Sequence, residues 1–260
     1  MEYKGQQTKN TEAYSGNLDW FDTIGSILAK LAHDLNNLLT PVVAYPELIK
    51  AELGKDSRAV VFLEAIEQSA ENIIHIVREM QALSPTMSVS TETFNLNNLV
   101  TRIVEQMRNS EQMSNHRLNL ELAENLSNVR GAVENIEKAI THILQNAVEA
   151  MSGKSGTLTV RSRNVMLDGP LRVYGGELSP GPYVCISVSD TGPGIPAELG
   201  EKIFIPFVTT KKGSNKRGAG LGLSIVYRII RDHKGGILFT SLPGEGATFD
   251  LYFPASSNER

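Results

Sequence analysis

Apolar residues in the first third of the chain recur at helical spacing. With Leu28 as position a of a heptad, Leu28, Leu35, Val42 and Ile49 fall at a, and Ile24, Leu31, Leu38 and Tyr45 at d. This predicts a helix from about Leu18 with a coiled-coil-like seam. The stretch before it, residues 1–17, is polar and aperiodic and is expected to be a tail or linker. In "ELGKDSR", Gly54 is placed to end the helix and Asp56 to cap the next. The second helix carries Leu63, Ile66, Ala70, Ile73, Val77 and Met80 in its seam, then fades into the Ser/Thr/Pro-rich "LSPTMSVSTE". Residues 18–87 therefore form a helical hairpin, and 88–94 a linker. A lone hairpin wets much of its apolar stripes, and each leucine buried fully is worth about 1.5–3 kcal/mol. Two hairpins pairing into a four-helix bundle, a homodimer, is the expected remedy.

The pattern changes over residues 95–256. "NLNNLVTRIVEQM", "VENIEKAITHILQNAVEAM" and "LGLSIVYRIIRDH" have helical periodicity, whereas "RLNLEL", "TLTVRSRNV", "GILFTS" and "ATFDLYF" read as strands. In "YVCISVSD", Val184, Ile186 and Val188 alternate with Cys185, Ser187 and Ser189, which predicts a half-buried strand. Helices on one face of a mixed sheet give an α+β layer domain.

The totals narrow the class. A chain of 260 residues accommodates two modest domains. A formal charge of −4 offers no basic surface for nucleic acid. The single cysteine, Cys185, excludes an internal disulfide. No apolar run approaches the roughly 18 residues needed to cross a bilayer. The N-terminus lacks the apolar core of a secretory signal. A cytoplasmic protein, or the cytoplasmic portion of a larger one, is expected.

One polar cluster interrupts the first helix. On the heptad, His33 is at f, Asp34 at g and Asn37 at c, all off the seam. A neutral imidazole is a nucleophile, and an adjacent carboxylate can hold its other proton and stabilise the cation formed on attack. An amide one turn along can orient a water or a phosphoryl group. A histidine on a helix surface is more often inert, so "HDxxN" alone is a weak signal.

Glycine-rich segments in the second domain point to a nucleotide. "SDTGPGI" sets Asp190 at a strand end, where its carboxylate can accept from an amino group and Gly192 and Gly194 let backbone approach a flat ligand. "KRGAGLGLSIVYRII" leads Gly218, Gly220 and Gly222 into a helix whose N-terminus favours phosphate. Neither the dinucleotide fingerprint nor a Walker loop is present. Between them, "PAELGEKIFIPFVTTKKGSNK" carries Phe204 and Phe207 as expected plugs and Lys211, Lys212 and Lys216 as cations, as a closing loop over phosphates would. His142, Asn146 and Glu149 share one helix face, where an amide suits Mg²⁺ bridged to phosphates.

Taken in order, the His-Asp-x-x-Asn hairpin, "QNAVEA", "DTGPGI", "IFIPFVTTK" and "GAGLGLSIV" resemble the histidine, asparagine, first glycine, phenylalanine and second glycine boxes of two-component sensor histidine kinases. The match runs over about residues 20–254 and looks closest to the "AHDxNNLL" group of nitrogen-regulator-like and hybrid kinases. The resemblance implies a dimerisation and phosphotransfer hairpin, then a Bergerat-type sandwich that binds ATP and Mg²⁺. It implies His33 as phosphoacceptor, Asp34 as its proton acceptor and Asn37 as a participant in transfer or phosphatase action. It assigns Mg²⁺ to Asn146 and the adenine amino group to Asp190. It further implies nucleotide contacts from Glu149, Ala150, Gly192, Gly194, Ile195, Phe207, Thr210 and Lys211. Gly218, Gly220, Leu221, Gly222, Leu223 and, through water to adenine, Thr248 complete the implied set.

By the same resemblance, the phosphoryl group passes to an aspartate of a response-regulator receiver domain, and phosphatase activity accompanies the kinase. Where the family often has proline after the histidine, this chain has Leu38, with Pro41 following. The helix bend is therefore expected later or weaker. Neither sensor nor receiver domain is in this sequence, so input is expected from a larger kinase or from a partner protein. Two alternatives are weighed against the kinase. A gyrase-like ATPase would carry a glutamate base where His142 stands, and a decayed scaffold would not keep Asn146, Asp190 and the glycines.

Overall fold

The computed structural model describes residues 8–53, 58–84, 90–108, 110, 113–210 and 219–256, with side chains from Trp20 onward. The described chain divides into two compact units, one built on two long helices and one on all later elements.

In the first unit, helix α1 spans Thr8–Glu52 and helix α2 spans Arg58–Gln81. Helix α1 thus begins well ahead of Leu18, inside the stretch expected to be a tail. The expected caps Gly54 and Asp56 lie outside the described residues. Seven-residue recurrences define the buried line of the hairpin: Phe21 with Leu28, Ala32 with Leu39, and Leu63, Ala70 and Val77 on α2. Lys50 of α1 and Glu67 of α2 form a part-buried ion pair across it.

This corrects the expected seam. Leu28 is buried, but Leu31, Leu38, Val42, Tyr45 and Ile49 are exposed on α1, as are Ile66 and Ile73 on α2. An apolar stripe about 100° wide needs a neighbour on each flank, and a hairpin supplies one. The remaining flank leaves apolar side chains open, with Leu38 and Phe62 each 69% exposed.

Helix α1 runs through Pro41 and Pro46. Proline has no N–H, so each removes the bond that the carbonyl four residues earlier would accept. Those carbonyls belong to Asn37 and Val42. The Thr40 hydroxyl donates to the Asn36 carbonyl at 3.1 Å, a back-bond that bends helices.

The second unit comprises β1 (Glu92–Phe94), α3 (Leu96–Arg108), β2 (His116–Glu121), β3 (Val129–Gly131), α4 (Val133–Ala150), β4 (Gly156–Leu167), β5 (Leu171–Val173), β6 (Gly176–Leu178), β7 (Gly181–Asp190), a 3₁₀ turn (Gly200–Phe204), α5 (Gly222–Asp232), β8 (Gly236–Leu242) and β9 (Gly246–Pro254). The main sheet has strand order β2-β4-β7-β9-β8, parallel between β2 and β4 and antiparallel elsewhere. Helix α4 buries Ile136, Ile140, Ile143, Leu144, Ala147 and Val148, and Val184, Ile186 and Val188 are buried on β7.

Strand β7 is not half-buried as expected, because Tyr183–Val188 are all covered. The β5–β6 hairpin lies outside the main sheet, and Val173 and Leu178 cluster with Tyr183, Cys185 and Tyr252. Burial pushes the Cys185 thiol up to about 12, so it acts there as a small apolar residue. A long alternating strand with serines on one face gives no sign of the cover that a distant short hairpin supplies.

Candidate functional site

The hairpin's polar cluster is open to solvent. The His33 side chain is 75% exposed, and its Nδ1 lies 3.4 Å from Asp34 Oδ1. Asn37 is exposed one helical turn along, so all three are carried by one short stretch of α1. A carboxylate at Nδ1 favours the tautomer with its proton there and leaves Nε2 as the free lone pair.

In the second unit the candidate site gathers at the C-terminal end of β7. Asp190 is only 6% exposed. Its Oδ1 accepts from the Gly192 N–H at 2.8 Å, and the Ala247 N–H also reaches the carboxylate. Burial holds this carboxyl above the ordinary carboxylate range, against the lowering effect of those two donors. A buried carboxylate at the mouth of a layer fold is poised to accept from a ligand donor.

Two close backbone approaches shape the wall around it. Gly246 has φ +88°, and a Cβ there would lie 1.9 Å from the Asp190 carbonyl oxygen. Gly194 has φ +73°, and a Cβ there would lie 2.3 Å from the Leu242 carbonyl oxygen. Ser241 ties the same turn down, since its hydroxyl accepts from the Ile195 N–H at 2.8 Å and donates to the Gly246 carbonyl at 2.7 Å. Ile195 thus contributes a backbone anchor. A Cβ on Gly192 would sit 2.7 Å from Asp190 Oδ1 and 3.2 Å from the Ala150 Cβ. That brings Asp190, Gly192 and Ala150 together.

The α5 N-terminus meets α4 at a second point of this unit. A Cβ on Gly222 would lie 3.4 Å from His142 Nδ1 and 3.6 Å from Asn146 Nδ2. The first helical N–H groups of α5, with their partial positive charge, therefore stand beside the Asn146 amide. Glu149 is part-buried, one turn along α4 from Asn146. Gly220 takes φ +73° just before α5, Leu221 is buried and Leu223 is part-buried. Thr210 is exposed, and Lys211, Lys212, Lys216 and Gly218 lie outside the described residues.

One expectation changes, and one residue stands apart from Asp190. Phe204 is fully buried as a plug, but Phe207 is 51% exposed with φ +66°. A left-handed backbone at a bulky residue is uncommon, and here it turns the ring out of the core. Thr248 does not share a face with Asp190. It pairs with Ser189 in register, their hydroxyl oxygens 2.8 Å apart, and strand alternation puts Asp190 on the other face. Ala247 is the residue that reaches Asp190, through its backbone. Ala247 and Ser241 were not singled out from the sequence. Backbone donors and a lone strand-end serine leave no residue-type signal.

Residues 131–257 match the family described as histidine kinase-, DNA gyrase B- and HSP90-like ATPase, and residues 23–86 match the His Kinase A (phospho-acceptor) domain. The sensor kinase CckA of Brucella abortus is 30% identical over 238 residues, which is 91% of this chain and 25% of that protein. The nucleotide-free catalytic domain of histidine kinase ThkA is 31% identical, covers 64% of this chain and 99% of its own, and superposes with a TM-score of 0.51. The crystal structure of ThkA in complex with response regulator protein TrrA is 25% identical, covers 98% of this chain and 67% of its own, and gives a TM-score of 0.59. With a phospho-acceptor hairpin preceding an ATPase layer domain, the chain belongs to the two-component sensor histidine kinases.

Proposed function

We propose that this chain is an ATP-dependent protein histidine kinase that phosphorylates itself on His33 and passes the group to an aspartate of a response-regulator receiver domain. The observation that carries the reading is the solvent-exposed His33, with Asp34 beside Nδ1, in a chain that also holds a buried carboxylate among close-packed glycines. His33 Nε2 attacks the γ-phosphorus of ATP, forming a P–N bond as the bond to the bridging oxygen breaks and ADP departs. The imidazolium so formed gives its Nδ1 proton to Asp34.

The residues of the second unit fit ATP. Asp190, ionised, accepts from the adenine amino group, and the glycine approaches leave room for a flat base. The α5 N-terminus takes phosphate oxygens. Among the described residues no three His, Cys, Asp or Glu side chains form a metal site. Mg²⁺ would therefore take one ligand from Asn146 and the rest from phosphates and water, as this cation commonly does. It would neutralise phosphate charge during transfer.

The exposed apolar flank of α1 and α2 supports a homodimer through the hairpin. ThkA forms a complex with the response regulator TrrA, and a receiver domain approaching the exposed His33 is the corresponding partner here. Asn37 would then orient water in phosphatase turnover. Among the described residues no helix is long and apolar enough to cross a membrane. The chain spans 25% of CckA's length, and an upstream sensor domain is proposed as the source of input.

The test is incubation with γ-labelled ATP and Mg²⁺. Acid-labile, base-stable label on the chain that is absent from His33→Gln supports the kinase. Steady phosphate release with no protein label would instead indicate a gyrase-like ATPase.

A further inference from the structure

The β5–β6 hairpin lies outside the motif regions of the sequence, yet it reaches the elements that flank the nucleotide site. Tyr174 and Gly175 form its turn. The Tyr174 N–H donates to the Ile237 carbonyl of β8 at 3.0 Å, which ties the turn to the main sheet. The Tyr174 ring stacks on Phe204 with centroids 4.3 Å apart and meets Tyr227 edge-on at 4.7 Å. Phe204 ends the 3₁₀ turn and is fully buried. Tyr227 belongs to α5, the helix whose first residue, Gly222, stands beside His142 and Asn146. Gly175, at φ +72°, closes the contact from the other side, since a Cβ there would lie 2.1 Å from the Tyr227 hydroxyl.

One ring therefore wedges two elements that the ATP site depends on. The 3₁₀ turn precedes Phe207 and Thr210, and α5 presents its N-terminal N–H groups toward Asn146. Phe204 also packs on Phe239, 5.7 Å away, which itself packs on Phe249. That side of Phe204 is held by the sheet, and Tyr227 meets Phe204 and Tyr174 while Arg231 lies over its ring, 5.9 Å from the centroid. Loss of the Tyr174 ring would remove the stacked partner of Phe204 and the edge-on partner of Tyr227, and with them a direct link between the 3₁₀ turn and α5.

We propose that Tyr174 is a positioning residue for ATP: its ring clamps Phe204 to Tyr227 and so sets where the α5 N-terminus stands relative to Asn146. The inference rests on the ATP-binding reading above. Aromatic pairs of this geometry carry free energy beyond their burial, and a variant in which α5 holds the binding position only about a tenth of the time binds ATP about tenfold more weakly.

The experiment uses the full chain and ATP with Mg²⁺. First, the parent's dissociation constant for ATP is measured by calorimetry; if the parent fails to bind, the ATP-binding reading itself falls, and this proposal with it. With binding established, Tyr174→Leu is expected to raise the dissociation constant and the KM for ATP about tenfold, with the limiting rate of self-phosphorylation little changed. Tyr174→Phe keeps the ring and is expected to restore parental affinity, and Glu177→Ala, a change on the same hairpin, is expected to leave it alone. Should Tyr174→Leu fail to fold, Tyr174→Met and Tyr227→Leu take its place, with the same loss of affinity expected. Parental ATP affinity in a folded variant lacking the ring, or equal losses in Tyr174→Phe, would overturn the proposal.

Discussion

His33 stands 75% exposed on a helix surface, whereas Asp190 is 6% exposed and hemmed by glycines that tolerate no side chain. The two units place these side chains in opposite settings, and the difference suits the task proposed for each. A phosphoacceptor must be reached by a nucleotide and then by a second protein, so a solvated helix face suits it. One neighbouring carboxylate supplies the electrostatics. An adenine reader must distinguish one flat base from water, and burial is what gives its hydrogen bond discriminating strength. The same contrast extends to packing. The hairpin covers one flank of its apolar stripes and leaves the other open, while the layer domain covers both faces of β7.

The contrast breaks most readily at Asp190. Asp190→Asn keeps the shape and removes the ionised acceptor, and ATP affinity is expected to fall on the order of a hundredfold. His33→Gln is expected to leave ATP affinity unchanged. Calorimetry on both variants checks the pair, and a matching loss in His33→Gln would merge the two settings into one.

Backbone packing gives the next largest effect. Gly246→Ala forces a Cβ to within 1.9 Å of the Asp190 carbonyl oxygen and is expected to cost at least about 2 kcal/mol. Gly153→Ala, also at positive φ (+85°) but facing open space, isolates the conformational strain and is expected to cost only about 1 kcal/mol. Thermal melts of the two variants measure the difference, and equal losses would remove the close-approach argument.

The open flank of the hairpin comes third. Leu38→Asp is expected to raise the dimer dissociation constant about tenfold or more, read by sedimentation equilibrium. Unchanged association would show that this flank is not the dimer face.

The smallest effect expected is on pH. Burial raises the Asp190 carboxyl, so the folded unit holds that proton more tightly than the unfolded chain. Its contribution to folding is therefore greatest below the ordinary carboxylate range and is lost as pH rises through the shifted value. ATP binding runs the other way, because the ionised form is the stronger acceptor from the adenine amino group. A few-fold loss of affinity is expected as pH falls, beginning above the ordinary carboxylate range, and absent from Asp190→Asn. Calorimetry across pH measures it.

Much of this was legible in the sequence, unequally between the units. The helices and main strands follow from apolar period, and the order of the boxes carries the family. The hairpin seam was misdrawn because a heptad pattern shows which residues are apolar, not which neighbour covers them. Leu39 is buried and Leu38 is open, although they are adjacent in the chain. The setting of Thr248 beside Ser189 is hidden for a similar reason. Its neighbour Ala247 acts through a backbone N–H, and the strand register that decides between them is fixed by pairing with β7. The β5–β6 hairpin was missed because three-residue strands have too few positions to show a period.

The central claim is that an exposed imidazole with a carboxylate at Nδ1 receives the phosphoryl group on its other nitrogen. Phosphorus NMR on the intact chain, labelled with ¹⁵N in histidine and held at alkaline pH after reaction with ATP and Mg²⁺, measures this directly. The account predicts a phosphoramidate signal coupled to Nε2 of His33 and absent from His33→Gln. A signal on Nδ1, or a phosphoryl group on any other residue, would contradict it.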